Sequence, residues 1–271
     1  MIKDSNPNSK KNQTVLITGA SSGIGLDFAH LFAKDGYNLV LVARSGDKLE
    51  HLTNELINKY NVNCKPISCD LSLPGAAKEL FRKTQSLDMH IDFLINNAGF
   101  GAMGFFHEID LNTQTNMIQV NITSLTELTH IYLKPMMQKK FGKILNVAST
   151  AAFQPGPLMT VYYATKAFVL SFSEALDNEL SGSGVNVTVL CPGPTMTGFQ
   201  SAAKIDTTSK IFNSKIAADS QSVALAGYKA LIDSQRLIIP GVVNKIGAYS
   251  VKFVPRYFAT SITRWLQEKR V

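Results

Sequence analysis

Between residues 14 and 240, short β-branched and apolar runs alternate with longer stretches of helical periodicity, and this alternation constrains the fold most tightly. Runs such as VLIT (15–18), LVLVA (39–43) and VNVTVL (185–190) are continuously or nearly continuously apolar, as parallel strands covered on both faces require. The spacing predicts strands at Thr14–Thr18, Asn38–Ala43, Asn63–Cys69, Asp92–Asn96, Gly142–Ala148, Val185–Cys191 and Arg236–Ile239. Helices are predicted near 24–35, 47–60, 74–86, 111–138, 160–181 and 219–234. A βαβα order of this kind implies an α/β fold: a doubly wound parallel sheet of about seven strands with helices on both faces. No repeat or linker breaks the stretch, so 14–240 reads as one domain between a polar tail, 1–13, and a C-terminal extension, 241–271.

Charge narrows the partners. The net charge of +7 divides unevenly along the chain. Residues 1–13 carry three lysines against Asp4, and residues 241–271 carry Lys245, Lys252, Arg256, Arg264, Lys269 and Arg270 against Glu268. The body between them is neutral, so it lacks the basic face that a nucleic-acid reader needs. The N-terminus has no apolar core of a secretory signal, and no apolar run approaches the ~18 residues that span a bilayer. Cys64, Cys69 and Cys191 have neither disulfide-framework nor zinc spacing, which suits reduced thiols in a cytoplasmic protein. The five histidines also lack metal-ligand spacing, and no metal is implied.

The first strand runs straight into Thr18-Gly19-Ala20-Ser21-Ser22-Gly23-Ile24-Gly25 and then a helix. Glycines permit a tight turn and let backbone N–H groups meet a pyrophosphate at the helix N-terminus. The G-x-x-x-G-x-G spacing differs from the commoner G-x-G-x-x-G, but its place between strand and helix points to a dinucleotide in a Rossmann-like fold. The second strand closes as Leu41-Val42-Ala43-Arg44 with no acid at its end. An acid there would take the ribose hydroxyl of NAD. Arginine instead suits a 2′-phosphate, so NADP(H) is preferred, with NAD(H) still open. Ser22 stands where many NADP binders carry a second cation, which leaves Arg44 with hydroxyl help only.

Tyr162 and Lys166 lie four apart and share one helix face. An ammonium beside a phenol favours phenolate, which would make Tyr162 an acid for carbonyl reduction and a base for the reverse. Tyr163, the neighbouring phenol, has Ala167 at the same offset.

The TGASSGIG turn, Asn96-Asn97-Ala98-Gly99 after the fourth strand, Ser149 after the fifth and the Tyr162/Lys166 pair together resemble the short-chain dehydrogenase/reductases over about 14–200. Within that family the chain is most similar to bacterial NADP-preferring members of undefined substrate. The resemblance implies Tyr162 as proton donor or acceptor, Lys166 lowering its pKa and holding the nicotinamide ribose, and Ser149 binding the substrate oxygen. It further implies that Asn121 supports a water-linked proton path to the lysine. The cofactor would be held by Gly19, Ser21, Ser22, Gly23, Ile24, Gly25 and Arg44; by Asp70 and Leu71 at the adenine; by Asn97, Ala98 and Gly99 along the ribose; and by Pro192, Gly193 and Thr197 near the nicotinamide, with Tyr162 and Lys166.

The expected activity is therefore transfer of hydride between NADPH and a carbonyl or alcohol; the alternative is an idle NADPH-binding sensor or scaffold. The loop Phe100-Gly101-Ala102-Met103-Gly104-Phe105-Phe106, with Phe153, Met159 and Phe199, suggests a lipophilic substrate or simply packed aromatics. Residues 194–218 form a candidate lid. In the extension, Ile246, Tyr249, Phe253 and Tyr257 and then Ile262, Trp265 and Leu266 form apolar groups among the cations, with Pro255 dividing two short helices. These helices either cover the cleft or a subunit interface, or dock reversibly on an anionic membrane. The resemblance also implies a homodimer or homotetramer paired through 111–138 and 160–181.

Overall fold

The computed structural model describes Lys10 and residues 12–197 and 218–268. The first half of the sheet is built from β1 (Thr14–Thr18), α1 (Gly23–Lys34), β2 (Asn38–Ala43), α2 (Gly46–Tyr60), β3 (Cys64–Ser68), α3 (Ala76–Ser86) and β4 (Ile91–Asn96). The second half has α4 (Leu111–Ile118), α5 (Leu125–Lys139), β5 (Gly142–Val147), α6 (Thr160–Glu179) and β6 (Val185–Leu190). A two-residue pair, β7 (Thr195–Met196) and β8 (Ala218–Asp219), precedes α7 (Ser220–Ile232) and β9 (Leu237–Ile238). The chain then enters α8 (Val242–Ser250) and α9 (Arg256–Glu268).

Seven strands pair in the order β3-β2-β1-β4-β5-β6-β9, every contact parallel. Alternate side chains of each strand feed opposite layers. Val15, Ile17, Leu39, Leu41, Phe93 and Ile95 pack with Phe28 and Phe32 of α1, Leu52 of α2 and Val223 of α7. Leu16, Val40, Val42, Leu94 and Ile144 pack with Leu80 of α3 and with Leu128, Tyr132 and Met136 of α5. Each fully buried side chain of this size contributes roughly 1.5–3 kcal/mol of transfer free energy, so two such layers account for the fold's hydrophobic drive. Between them, Asn96 Nδ2 donates to Asn146 Oδ1 (2.9 Å) and Thr129 Oγ1 (3.0 Å), and Asn146 Nδ2 donates to Ser173 Oγ (2.9 Å). That chain of bonds ties β4 and β5 to α5 and α6, the elements that carry the site.

Several strands end a residue earlier than the apolar runs suggest. Cys69, Ala148 and Cys191 still donate their N–H groups to Ala43, Leu190 and Ile238, but the chain there turns out of the sheet. The strand order reverses between β1 and β4, the place where α/β sheets bind ligands. The helix expected over 111–138 is interrupted: Gln119–Ser124 forms a π-helical turn between α4 and α5. The β7–β8 pair was not anticipated. Of the candidate lid, residues 198–217, Phe199 among them, lie outside the described residues, as do the tail 1–9 and Lys269 and Arg270. Pro255 stands immediately before α9, and a 3₁₀ turn at Val251–Phe253 closes α8, so the proline does divide two helices.

Candidate active site

A cavity of about 550 Å³ opens at the carboxyl ends of the central strands. Its first wall is the turn after β1. Gly19 and Gly23 hold φ of +66° and +55°, and a Cβ on Gly25 would sit 2.3 Å from the Gly19 carbonyl oxygen. Only glycine lets α1 start this close to the turn. Asn97 Nδ2 donates to the carbonyls of Thr18 (2.9 Å) and Gly19 (3.2 Å), while Thr18 Oγ1 accepts from the N–H groups of Asn97 and Ala98 (both 3.0 Å). Ser22 occupies the N-cap of α1 in extended conformation, and its side chain makes no capping bond. The first-turn amides are thus open to an anion rather than closed by the protein.

Arg44, Asp70 and Leu71 line the end of the cavity beyond β2 and β3. Burial alone would raise the Asp70 carboxyl; the N–H and hydroxyl of Ser72, at 2.9 and 2.8 Å, together with the nearby Arg44 charge, hold it below the ordinary carboxylate range. An uncapped helix start, a glycine turn, an acid held by Ser72 and a guanidinium together fit a dinucleotide.

The opposite wall holds the groups expected to transfer a proton. Ser149, Tyr162 and Lys166 all face the cavity. Ser149 Oγ accepts from the Ala151 N–H (3.1 Å) and donates to the Pro192 carbonyl (3.4 Å), and its side chain is hydrogen-bonded to the Tyr162 hydroxyl. Lys166 Nζ donates to the Val147 carbonyl at 2.8 Å and stands 5.8 Å from the centre of the Tyr162 ring. Burial dominates both ionisations. It pushes the Tyr162 phenol well above its ordinary value, only partly offset by the Ser149 bond, and it pulls the Lys166 ammonium down to about 8. The groups that move the Tyr162 ionisation here are burial, the largest, then the Ser149 bond and the neighbouring Tyr163 and Cys191.

All the residues expected at the site line the cavity except Gly25 and Asn121. Gly25 lies behind the turn it makes possible. Asn121 sits on the π-helical turn, 1% exposed; its Oδ1 accepts from the Phe100 N–H (3.1 Å) and its Nδ2 donates to the Phe100 carbonyl and to Thr165 Oγ1 (both 3.0 Å). It clamps the loop after Gly99 rather than facing the cavity. A Cβ on Gly99 would lie 3.0 Å from Asn121 Oδ1 and 3.4 Å from Lys166 Nζ, so this glycine brings amide and ammonium to one place. Thr197 packs against Gly23 in the same way, 3.0 Å from where a side chain there would begin.

The apolar loop behaves differently from expectation. Phe100 and Met159 line the cavity and Met103 packs behind Met159, but Phe105 and Phe106 are exposed and Phe153 stacks edge-on against Tyr249 of α8 at 6.5 Å. Motif spacing missed the residues that complete the wall: Thr263, Leu266 and Gln267 of α9. Gln267 is 1% exposed and its Nε2 donates to the Tyr163 hydroxyl at 2.7 Å, so the neighbouring phenol holds the C-terminal helix onto the cavity. The only sequence signal for this was the possibility that the C-terminal helices cover the cleft.

Known proteins share this frame. The chain is similar to the very-long-chain 3-oxoacyl-CoA reductase of Rattus norvegicus, 38% identical over 181 residues that cover 65% of this chain and 57% of that one. The chain thus spans little more than half the length of that relative. A short-chain dehydrogenase of Sphingobium yanoikuyae solved in complex with NADPH superposes with a TM-score of 0.80 at 32% identity, covering 89% of this chain and 92% of the other. A structure from work on 7β-hydroxysteroid dehydrogenase stereoselectivity gives a TM-score of 0.85 at 27% identity, covering 95% and 99%. The family model described as short chain dehydrogenase matches residues 13–207, and with the cavity and its glycine turn in place the conclusion is direct: this chain belongs to the short-chain dehydrogenase family.

Proposed function

We propose that the chain is an NADPH-dependent oxidoreductase that interconverts a bulky, lipophilic carbonyl compound and its alcohol. The observation that carries the reading is the convergence of Ser149, Tyr162 and Lys166 on one wall of a cavity whose far end carries the glycine turn and Arg44. When bound, the cofactor supplies or accepts the hydride. The protein's own groups manage the proton. Tyr162, protonated at neutral pH and more firmly so for its burial, is disposed to donate to a carbonyl oxygen. Ser149 presents a second hydroxyl on the same wall and would stabilise negative charge growing on that oxygen. Lys166, with a pKa near 8, can exchange a proton close to neutral pH. Asn121 positions the Phe100 backbone beside it. Arg44 at the end of β2 favours the 2′-phosphate of NADP over the plain ribose of NAD. Phe100, Met159 and Leu266 supply apolar surface that suits a lipophilic substrate. In this reading 14–240 is the catalytic domain, and the C-terminal extension is its accessory wall.

The test is steady-state kinetics on a panel of bulky ketones, followed by NADPH absorbance. Tyr162→Phe should lower kcat about 100-fold or more while NADPH binding persists, because only the transferable proton is removed. Tyr163→Phe should raise KM and leave kcat within a few-fold, since that phenol holds Gln267. Arg44→Asp should weaken NADPH far more than NADH. A Tyr162→Phe enzyme retaining more than about a tenth of kcat would end the assignment. A chain that binds NADPH yet oxidises it with no ketone would instead be the idle sensor.

A further inference from the structure

Helix α9 is amphipathic in the opposite sense to a helix on a water-soluble surface. The stripe it buries is Ala259, Thr263 and Gln267, spaced four apart. The stripe it turns to solvent includes Tyr257, Ile262 and Trp265, at 77%, 53% and 56% exposure. Phe253, in the turn before it, is 87% exposed, and Val243 and Ile246 of α8 are also open. An apolar set of this size concentrated in the last two helices marks an interaction surface rather than the scatter of single exposed side chains that any protein shows.

The charge around this set names its partner. Among the described residues, Lys245, Lys252, Arg256 and Arg264 accompany it, opposed only by Glu268, which pairs with Arg264. A second copy of the chain docking face to face would set these cations against themselves, since a two-fold interface repeats the same patch on both sides. Aromatic and aliphatic side chains interspersed along two short helices with lysine and arginine match the headgroup region of an anionic bilayer. Among the described residues no helix is long and apolar enough to cross a membrane, so contact would be peripheral. We infer that α8 and α9 form a docking face for an anionic lipid surface, with the outer side of α9 in the headgroups and its inner side, at Thr263, Leu266 and Gln267, forming a wall of the cavity.

Trp265 is the sole tryptophan of the chain and lies on this face, so its emission reports docking directly. The full chain would be titrated with vesicles of phosphatidylcholine alone and with added phosphatidylserine, reading Trp265 emission and co-sedimentation. Docking predicts a blue shift and binding about tenfold or more tighter on the anionic vesicles, lost as salt screens the charge. The triple variant Phe253→Ser, Tyr257→Ser, Ile262→Ser alters only exposed side chains; it should keep native circular dichroism and NADPH binding yet stay in the supernatant. Protein that remains in the supernatant with both vesicle types at low salt overturns the inference. So does equal binding to neutral and anionic vesicles, or a concentration-dependent dimer that the triple variant abolishes, which would make the face a subunit interface. None of these readouts uses turnover, so the docking face stands or falls apart from the proposed reaction.

Discussion

Tyr162 and Lys166 show how one buried pair can be costly and useful together. Lys166 is 5% exposed, and desolvation lowers its pKa from 10.5 to about 8. For a base whose folded pKa is depressed, the unfolded chain binds more protons between the two values, so stability rises as pH climbs from about 8 towards 10.5. Below 8 both states carry the charge, and the native state bears the whole desolvation cost, roughly 3 kcal/mol for a shift of this size. Part of that cost is offset by the bond to the Val147 carbonyl. Lys166→Met should therefore lose activity but be about 1–2 kcal/mol more stable than the parent near pH 7, after allowing for the carbonyl left without its donor. That advantage should shrink as pH passes 8. Cys191, raised to about 12 by burial, destabilises both proteins above pH 9 and largely cancels from the comparison. Urea unfolding of both proteins at about pH 7 and about pH 9.5 checks it; a stability difference that does not change with pH would show that Lys166 is not held against its charge.

At the scale of elements, the sheet was legible because its signal is redundant. Strands β1 and β2 are nearly continuous apolar runs, β4, β5 and β6 have apolar residues at their centres, all five are buried along nearly their whole length, and no single residue decides them. β9 was harder, since only Leu237 and Ile238 pair and both are half-exposed. The π-helical turn at Gln119–Ser124 was not legible at all: its sequence, QVNITS, has ordinary helical periodicity, and Asn121 within it bonds Phe100 and Thr165. Sequence reading did mark Asn121 as an awkward helix residue, but not that it clamps a loop. Asn121→Ala removes three hydrogen bonds that hold Phe100 and Thr165. The loss should cost about 1–3 kcal/mol of stability and lower kcat/KM at least tenfold, because the loop beside Lys166 is released. Thermal unfolding and kinetics on the same preparation would show both effects; loss of stability with unaltered kcat/KM would leave Asn121 a structural residue only.

At the scale of the molecule, the motifs that line the cavity were readable because each is short in sequence, whereas the wall made by α9 was not. Gln267 meets Tyr163 across 104 positions of the chain, a contact that no spacing rule encodes. Helix α9 thus forms one wall of the cavity that the first strand opens, so an occupant that reaches that wall would act on α9. A cofactor that binds only the folded chain stabilises it by about 2.7 kcal/mol at a hundred times its Kd. That gain need not be uniform. Amides of α9, whose outer face is exposed and whose hold on the body runs through Ala259, Thr263 and Gln267, should exchange through local opening well below the global unfolding energy. Saturating NADPH should slow exchange across 256–268 together with the glycine turn at 19–25. The amides of α3, none of whose residues lines the cavity, should change only as much as global stability does. Gln267→Ala should remove most of the protection in α9 while leaving that of the turn. Hydrogen exchange read by mass spectrometry, with and without NADPH, decides it: protection confined to the turn, with α9 exchanging at its original rate, would mean that the C-terminal helix rests on the cavity without sensing what it holds.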